Sequence, residues 1–240
     1  LFCLTGVYVE LCLHLCVFHS LDRFAGYLVL FGLLGGALCT LMVSSLPKIL
    51  RQIVGMLLVA AQVLPAEVQL VYQSIFGNFM PLNQVSMGEN VMENFGAQIL
   101  YGIRSNLPQI LLLLLPLIAV ILCLALRRVQ VLKLRLRWKQ ALASLAVLLA
   151  LLLTVTGSMY AGRNKPFSVY HTFTNVDTST DSSYKKIGMW ATTAQELRYM
   201  LFGSGGSTAI TPSSLNTSDA PKAYSSNSYN VIEDIDFTAL

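Results

Sequence analysis

The sequence predicts an all-α membrane protein: a bundle of five transmembrane helices, followed by a mostly irregular extracytoplasmic tail with one short helix. Its 240 residues are 55% hydrophobic and only 12% charged, against about 25% charged in soluble domains. Residues 1–157 carry ten Lys and Arg and five Asp and Glu, nearly all between apolar runs, whereas residues 158–240 are polar and rich in Ser and Thr. This composition excludes a disordered chain, a disulfide-stapled secreted protein and a nucleic-acid binder with a broad basic face.

Five apolar runs approach the roughly 20 residues that a helix needs to cross a hydrocarbon core about 30 Å thick. Backbone groups inside hydrocarbon must bond within their own segment, so these runs are predicted to be helices. We divide the chain into a transmembrane domain, 1–159, and a juxtamembrane stalk and linker, 160–240. Since the chain starts inside an apolar run, we expect it to be a fragment. The predicted spans are 1–18, 27–46, 53–76, 107–126 and 140–159.

Basic residues in one short loop predict the orientation. Six basic and no acidic residues lie between the fourth and fifth predicted spans, and such loops stay in the cytoplasm. The N-terminus is then cytoplasmic and the tail extracellular. These basic residues either set the topology alone or also bind anionic lipids of the inner leaflet; they are Arg127, Arg128, Lys133, Arg135, Arg137 and Lys139.

Four ionisable residues stand out within or at the ends of the spans. Such groups are costly in a membrane and usually face a partner or a wet cavity. Glu10 and Glu67 should lie at similar depth below the outer interface, with His14 one turn from Glu10 and Arg104 opening the fourth span. One hypothesis is a polar cleft, open to the outer leaflet, that touches a lipid headgroup or the exported part of the chain. The alternative is hydrogen bonding between helices.

Small residues and one amphipathic pattern complete the membrane domain. Gly32 and Gly36 form a small-xxx-small face that lets a neighbouring helix approach closely. Apolar residues recur every four positions between Val91 and Ile103, which predicts a short helix lying on the membrane surface. No group of residues has the spacing of a metal site, so we predict neither metal nor cofactor for this chain.

The tail carries few apolar residues and no catalytic motif. Residues 163–186 lean towards extended structure, and the pair Thr193 and Glu196 forms a capping-box pattern that predicts a helix ending at Gly203. Residues 203–230 have the composition of a linker. From the residues alone, the chain is an anchor and stalk, and we predict no catalytic residue.

Three stretches resemble the lipoteichoic acid synthase family within the alkaline phosphatase/sulfatase superfamily. They are VYQSIFG at 71–77, IGMWATTAQELRYMLFG at 187–203 and YNVIEDIDFTAL at 229–240. The resemblance implies a bacterial cell-membrane enzyme of cell-wall biogenesis that transfers glycerol phosphate from phosphatidylglycerol, using a threonine nucleophile and a divalent metal such as manganese. It implies that this catalytic domain, the exported partner of the anchor, lies outside residues 1–240. This fragment alone is therefore expected to be inactive.

Two other classes of function stay open at this point. A small multispan transporter would use Glu10, His14 and Glu67 to line a pathway. A membrane sensor or assembly protein would use the tail to bind a partner. A catalytic domain in the reading frame beyond residue 240 would favour the enzyme over both.

Overall fold

The computed structural model describes residues 1–82, 88–125, 138–165, 168–174 and 180–202. These residues form eight α-helices and contain no β-strand, as the sequence predicts for the fold class. The helices are α1 Phe2–Phe18, α2 Ala25–Ser44, α3 Lys48–Phe76, α4 Gly88–Ser105, α5 Leu107–Ala125, α6 Trp138–Ala161, α7 Val169–Thr174 and α8 Thr180–Phe202.

Helices α1 and α2 form the most closely packed pair. Gly36 lies against the backbone of Cys3, and a Cβ added at Gly32 would lie 2.9 Å from the backbone nitrogen of Val7. A Cβ at Gly6 would in turn meet the carbonyl oxygen of Gly32 at 2.5 Å. Pairing of an early residue of α1 with a late residue of α2 makes the helices antiparallel, and the glycines remove the side chains that would hold them apart.

The other long helices pack around this pair. Helix α3 contacts α1 and α5, and α6 contacts α2. The shared core is aliphatic, with Val9 of α1, Val59 and Val63 of α3 and Leu113 of α5 wholly inaccessible to solvent. The outward faces of the long helices remain apolar, with Leu57, Leu122 and Leu153 among the exposed side chains. Apolar residues both inside and outside the bundle are what a hydrocarbon solvent requires.

The number of spans differs from the prediction. Within the described residues, three helices are long and apolar enough to cross a membrane: Ala25–Ser44, Ile49–Phe76 and Leu142–Ala161. A fourth candidate needs two pieces, Phe95–Ser105 and Leu107–Cys123, which meet at a bend of 76°. The chain is therefore a multi-pass membrane protein whose described residues contain three or four candidate spans, and the prediction of five was wrong.

The first apolar run is not among these candidates, because its helix as described is shorter than they are. Helix α1 has 17 residues, and the next residue, His19, adopts a left-handed φ of 54° that stops it. At 1.5 Å per residue the helix is about 25 Å long, which is less than the roughly 30 Å of a bilayer core. Polar residues follow at once, including Asp22 and Arg23, so the run cannot lengthen in that direction.

The tail is more helical than predicted. Residues 169–174 and 180–202 form α7 and α8, whereas the sequence predicted extended structure as far as residue 186. Burial explains the difference, because Val169 and Tyr184 each pack into the apolar core and tertiary contacts override weak β propensity. Residues 1–204 form one compact unit.

The predicted capping box is also absent. Because α8 begins at Thr180, Thr193 lies inside the helix and does not cap a helix start. The break in α8 lies instead at Gly188, whose φ of 80° and ψ of −179° are not helical. Helix α8 is therefore two shorter helices that meet at this glycine.

Candidate functional site

The buried carboxyl group of Glu10 contacts the break in α8. Glu10 is only 2% exposed. Its Oε2 accepts a hydrogen bond of 2.9 Å from the backbone N–H of Met189, and its Oε1 accepts one of 2.7 Å from the N–H of Trp190. Both carboxyl oxygens of Glu10, in α1, thus accept hydrogen bonds from the backbone of α8, which follows α6 in the chain.

The sequence of α8 explains why these two N–H groups need a partner. The first N–H groups of a helix have no acceptor within it, and Gly188 creates such a helix start in the middle of α8. A carboxylate is a favourable partner there because it accepts hydrogen bonds and meets the positive end of the helix dipole. Glycine is required at the break, because a Cβ on Gly188 would lie 2.5 Å from Glu10 Oε2 and 2.8 Å from Leu28 Cδ2.

The next part of α8 fits into a space on α2. A Cβ added at Gly35 would lie 2.8 Å from Trp190 Cδ2, so the indole ring rests on a position without a side chain. Ile187 and Ala191, on either side of the break, are buried in the cluster that also contains Phe31 of α2. Residues 187–191 are therefore held against both α1 and α2.

Three side chains along α8 attach it to the segment after α3. The carboxylate of Asp181 accepts a hydrogen bond of 2.9 Å from the N–H of Phe79, and that of Glu196 accepts one of 2.8 Å from Leu82. The ring of Tyr184 stacks on Phe79 with centroids 4.0 Å apart. Burial raises the pKa of Glu196, and the Leu82 N–H opposes that rise. Burial also raises the pKa of Tyr184.

One ion pair joins α8 to the connection between α1 and α2. Lys185 Nζ lies 3.1 Å from Asp22 Oδ2, and the two side chains are 45% and 31% exposed. A pair this exposed contributes little to stability, because water screens it. The ion pair shows which part of α8 lies beside the α1–α2 connection, but it adds little to the stability of that contact.

Helix α7 supports the other side of α8. Gln195 donates to the backbone oxygen of Thr172 at 3.0 Å, and the hydroxyl of Tyr199 donates to that of Thr174 at 3.3 Å. Phe173 of α7 stacks on Phe31 of α2, with centroids 6.3 Å apart. Together α7 and α8 form a layer on the faces of α1 and α2, which we call the docked linker, residues 169–174 and 180–202.

The other residues of the predicted cleft have different surroundings. His14 is buried, with its ring 4.8 Å from that of Phe18. Glu67 is half-buried and lies near Cys16, about 120° around α1 from Glu10. Arg104 is exposed on α4. Glu10 thus lies on one face of α1, whereas Glu67 of α3 lies near another. A single cleft lined by all four residues stays a prediction.

Several predicted features lie outside the described residues. This holds for the basic residues 127, 128, 133, 135 and 137, and for the side chain of Lys139, which lies near the start of α6. It also holds for the resembling stretch 229–240. Within the described part of the chain, no three His, Cys, Asp or Glu side chains are grouped to hold a metal ion.

Sequence reasoning identified Glu10 but not its partners. Gly188 was the available signal, since a glycine inside a helical pattern indicates a break or a close approach. No sequence pattern indicated a role for Asp181 or Tyr184, because Phe79, which both contact, lies about a hundred residues away in the chain. No family model, no curated protein and no solved structure matches this chain.

Proposed function

We propose that this chain is the membrane anchor and linker of a lipoteichoic acid synthase-like phosphoglycerol transferase, or of a related sulfatase-like enzyme, that acts at the outer face of a bacterial cell membrane. The catalytic domain and its divalent metal belong to a part of the protein outside residues 1–240. The role of this chain is to hold that domain at the lipid headgroups.

The docking of α8 is the observation that carries this proposal. Residues 187–202 include most of the second resembling stretch, and Glu10 accepts hydrogen bonds from Met189 and Trp190 within it. A linker bound to the bundle fixes where the following chain leaves the membrane. A domain attached there meets its lipid substrate at a high effective concentration, since the tether replaces diffusion.

The sides of the membrane follow from the charge pattern. We place residues 127–139 in the cytoplasm, because basic loops are retained there. The docked linker then lies at the outer face, which is where an enzyme that uses an exported lipid substrate must act. The connection that contains Asp22 lies at the same face, because Lys185 of the linker pairs with it.

The test is activity of the complete reading frame in membranes. We expect the codons after residue 240 to encode a domain with a threonine nucleophile and Asp, Glu and His metal ligands. Membranes that contain this protein should release diacylglycerol from fluorescent phosphatidylglycerol only when Mn²⁺ is present. Residues 1–240 expressed alone should release none.

A matched pair of variants separates anchoring from chemistry. In the complete protein, Glu10→Leu should lower turnover of phosphatidylglycerol in membranes while turnover of a soluble phosphodiester is unchanged, because only the position of the domain is altered. Glu67→Leu should affect neither. Metal-dependent turnover by residues 1–240 alone, or a reading frame without the catalytic domain, would disprove the proposed function.

A further inference from the structure

A cleft of about 410 Å³ lies between the end of α3 and the second half of α4. This volume falls within the range of about 300–1,000 Å³ that is typical of small-molecule sites. Its polar lining comes from Ser74, Gln98, Tyr101 and Ser105. The floor is apolar and narrow, since a Cβ on Gly102 would lie 3.0 Å from the side chain of Ile75.

The position of the cleft corresponds to the boundary of a membrane. Ser74 lies two residues before Phe76, where the apolar span of α3 ends. The helix over Phe95–Ser105 meets the helix that starts at Leu107 at 76°, so α4 runs across the end of α5 and not along it. We place this helix at the level of the lipid headgroups, so that only the Leu107–Cys123 piece of the bent pair enters the hydrocarbon.

The chemistry of the rim suits an anionic headgroup. Hydroxyl and amide groups offer hydrogen bonds, and none of the lining residues that the structure describes is acidic. Arg104 is exposed and lies three residues after Tyr101 on α4, so the two side chains are neighbours on the helix surface. A guanidinium group at this place can form paired hydrogen bonds with a phosphate.

The surroundings of the cleft suit acyl chains. Leu100 and Leu107 are exposed large apolar side chains on α4 and at the start of α5. Exposed apolar residues next to a polar cleft are the arrangement that an amphiphile requires, with its headgroup in the cleft and its chains on the flank. A small water-soluble phosphodiester would leave these residues without a partner.

We infer that this cleft, which we call the α3–α4 cleft, is a binding site for one membrane phospholipid. Its phosphodiester pairs with Arg104, its headgroup enters between Ser74 and Gln98, and its acyl chains cover Leu100 and Leu107. The site is separate from the docked linker and does not depend on the proposed enzymatic function. It would hold α4 at the membrane surface and fix the bend between α4 and α5.

Photocrosslinking tests this inference on the full chain in vesicles. The probe is an anionic phospholipid with an aryl azide on its headgroup, diluted in phosphatidylcholine, and crosslinked peptides are identified by mass spectrometry. We expect crosslinks concentrated at residues 74–75 and 97–105. Ala97→Trp, which fills the cleft from an exposed position, should abolish them. Arg104→Gln should weaken probe binding about fivefold, as expected for one interfacial cation.

Two controls make the outcome decisive. Arg198→Gln removes another exposed cation, from α8, and should leave crosslinking unchanged. Excess unlabelled phospholipid should displace the probe, whereas soluble glycerol phosphate should not. Crosslinks that persist in Ala97→Trp, or that are lost equally in Arg198→Gln, would overturn the site. Displacement by glycerol phosphate as effective as by phospholipid would overturn the assignment to a lipid.

Discussion

Glu10 shows how one charged residue can be kept within an apolar bundle. A buried carboxylate is costly unless its oxygens accept hydrogen bonds, and here Met189 and Trp190 supply one to each oxygen. Those N–H groups would also be costly if buried without an acceptor. The carboxylate and the two N–H groups therefore offset each other's cost of burial, and the position of α8 depends on these two hydrogen bonds.

Removal of the Glu10 carboxylate should release α8. In Glu10→Leu, two buried N–H groups lose a charged acceptor, at a cost of about 1–3 kcal/mol each. We expect a lower melting temperature in detergent and faster tryptic cleavage at Lys185 and Lys186. Glu10→Gln, which keeps one acceptor oxygen, should be intermediate. Glu67→Gln is the control, since no hydrogen-bond partner of Glu67 lies within the described part of the chain, and its cleavage rate should match that of the unmodified protein.

Gly188 should tolerate no side chain, for two reasons. Its φ of 80° is unfavourable for other residues, and a Cβ would also collide with Glu10 Oε2. Gly77 also has a positive φ, of 72°, but its ψ of 4° is left-handed helical, a conformation that other residues adopt more readily than that of Gly188, and no described atom lies within 4 Å of a Cβ added there. We expect Gly77→Ala to cost about 1 kcal/mol from the backbone alone, and Gly188→Ala to release α8 as Glu10→Leu does. Equal loss of melting temperature in both variants would show that the contact with Glu10 is unimportant.

The raised pKa of Glu196 makes stability depend on pH. Because burial raises this pKa in the folded protein, the native state binds the proton more tightly than the unfolded chain does. The favourable contribution is complete below the ordinary pKa of a glutamate and is lost as the pH rises through the higher native value. We expect the melting temperature of Glu196→Gln to fall less than that of the unmodified protein between about pH 4 and pH 8. Parallel profiles would contradict this.

At the scale of elements, the contact between α2 and α8 depends on a residue without a side chain. Gly35 leaves the space that the Trp190 ring occupies. In a Trp138→Phe background, Gly35→Leu should displace Trp190 and shift its fluorescence to longer wavelength, because the ring becomes exposed to solvent. Gly26→Leu is the matched control on the same helix, as no described atom lies within 4 Å of a Cβ there. An unchanged spectrum in Gly35→Leu would mean that Trp190 does not rest on α2.

Elements defined by local pattern were predicted well. The four-residue apolar repeat between Val91 and Ile103 predicts a helix, and α4 covers it from Gly88 to Ser105. The apolar runs likewise predict α2, α3 and α6, because periodicity and length are properties of the run itself. The end of helix α8 was predicted, since it stops at Phe202, but its start was not. Its first half carries buried Ser183 and Tyr184, and the stacking of Tyr184 on Phe79 is a contact that no local pattern announces.

At the scale of the molecule, the membrane character could be predicted but the arrangement could not. Composition alone indicates apolar helices, whereas the number of spans depends on where each helix ends, as at His19. The candidate site combines Glu10 with Met189 and Trp190, which follow it in the sequence by 179 and 180 positions. No local pattern encodes such a pairing, although a carboxyl group within a span indicates that some partner exists.

Distant parts of the sequence thus pack together, since Glu10 of α1 accepts hydrogen bonds from Met189 and Trp190 of α8. Amide hydrogen exchange of the full chain in lipid nanodiscs tests this claim most directly. We expect the Met189 and Trp190 amides to be strongly protected, and we expect Glu10→Leu to remove this protection while α2 and α3 keep theirs. Exchange of both amides within seconds in the unmodified protein, as in a free linker, would contradict it.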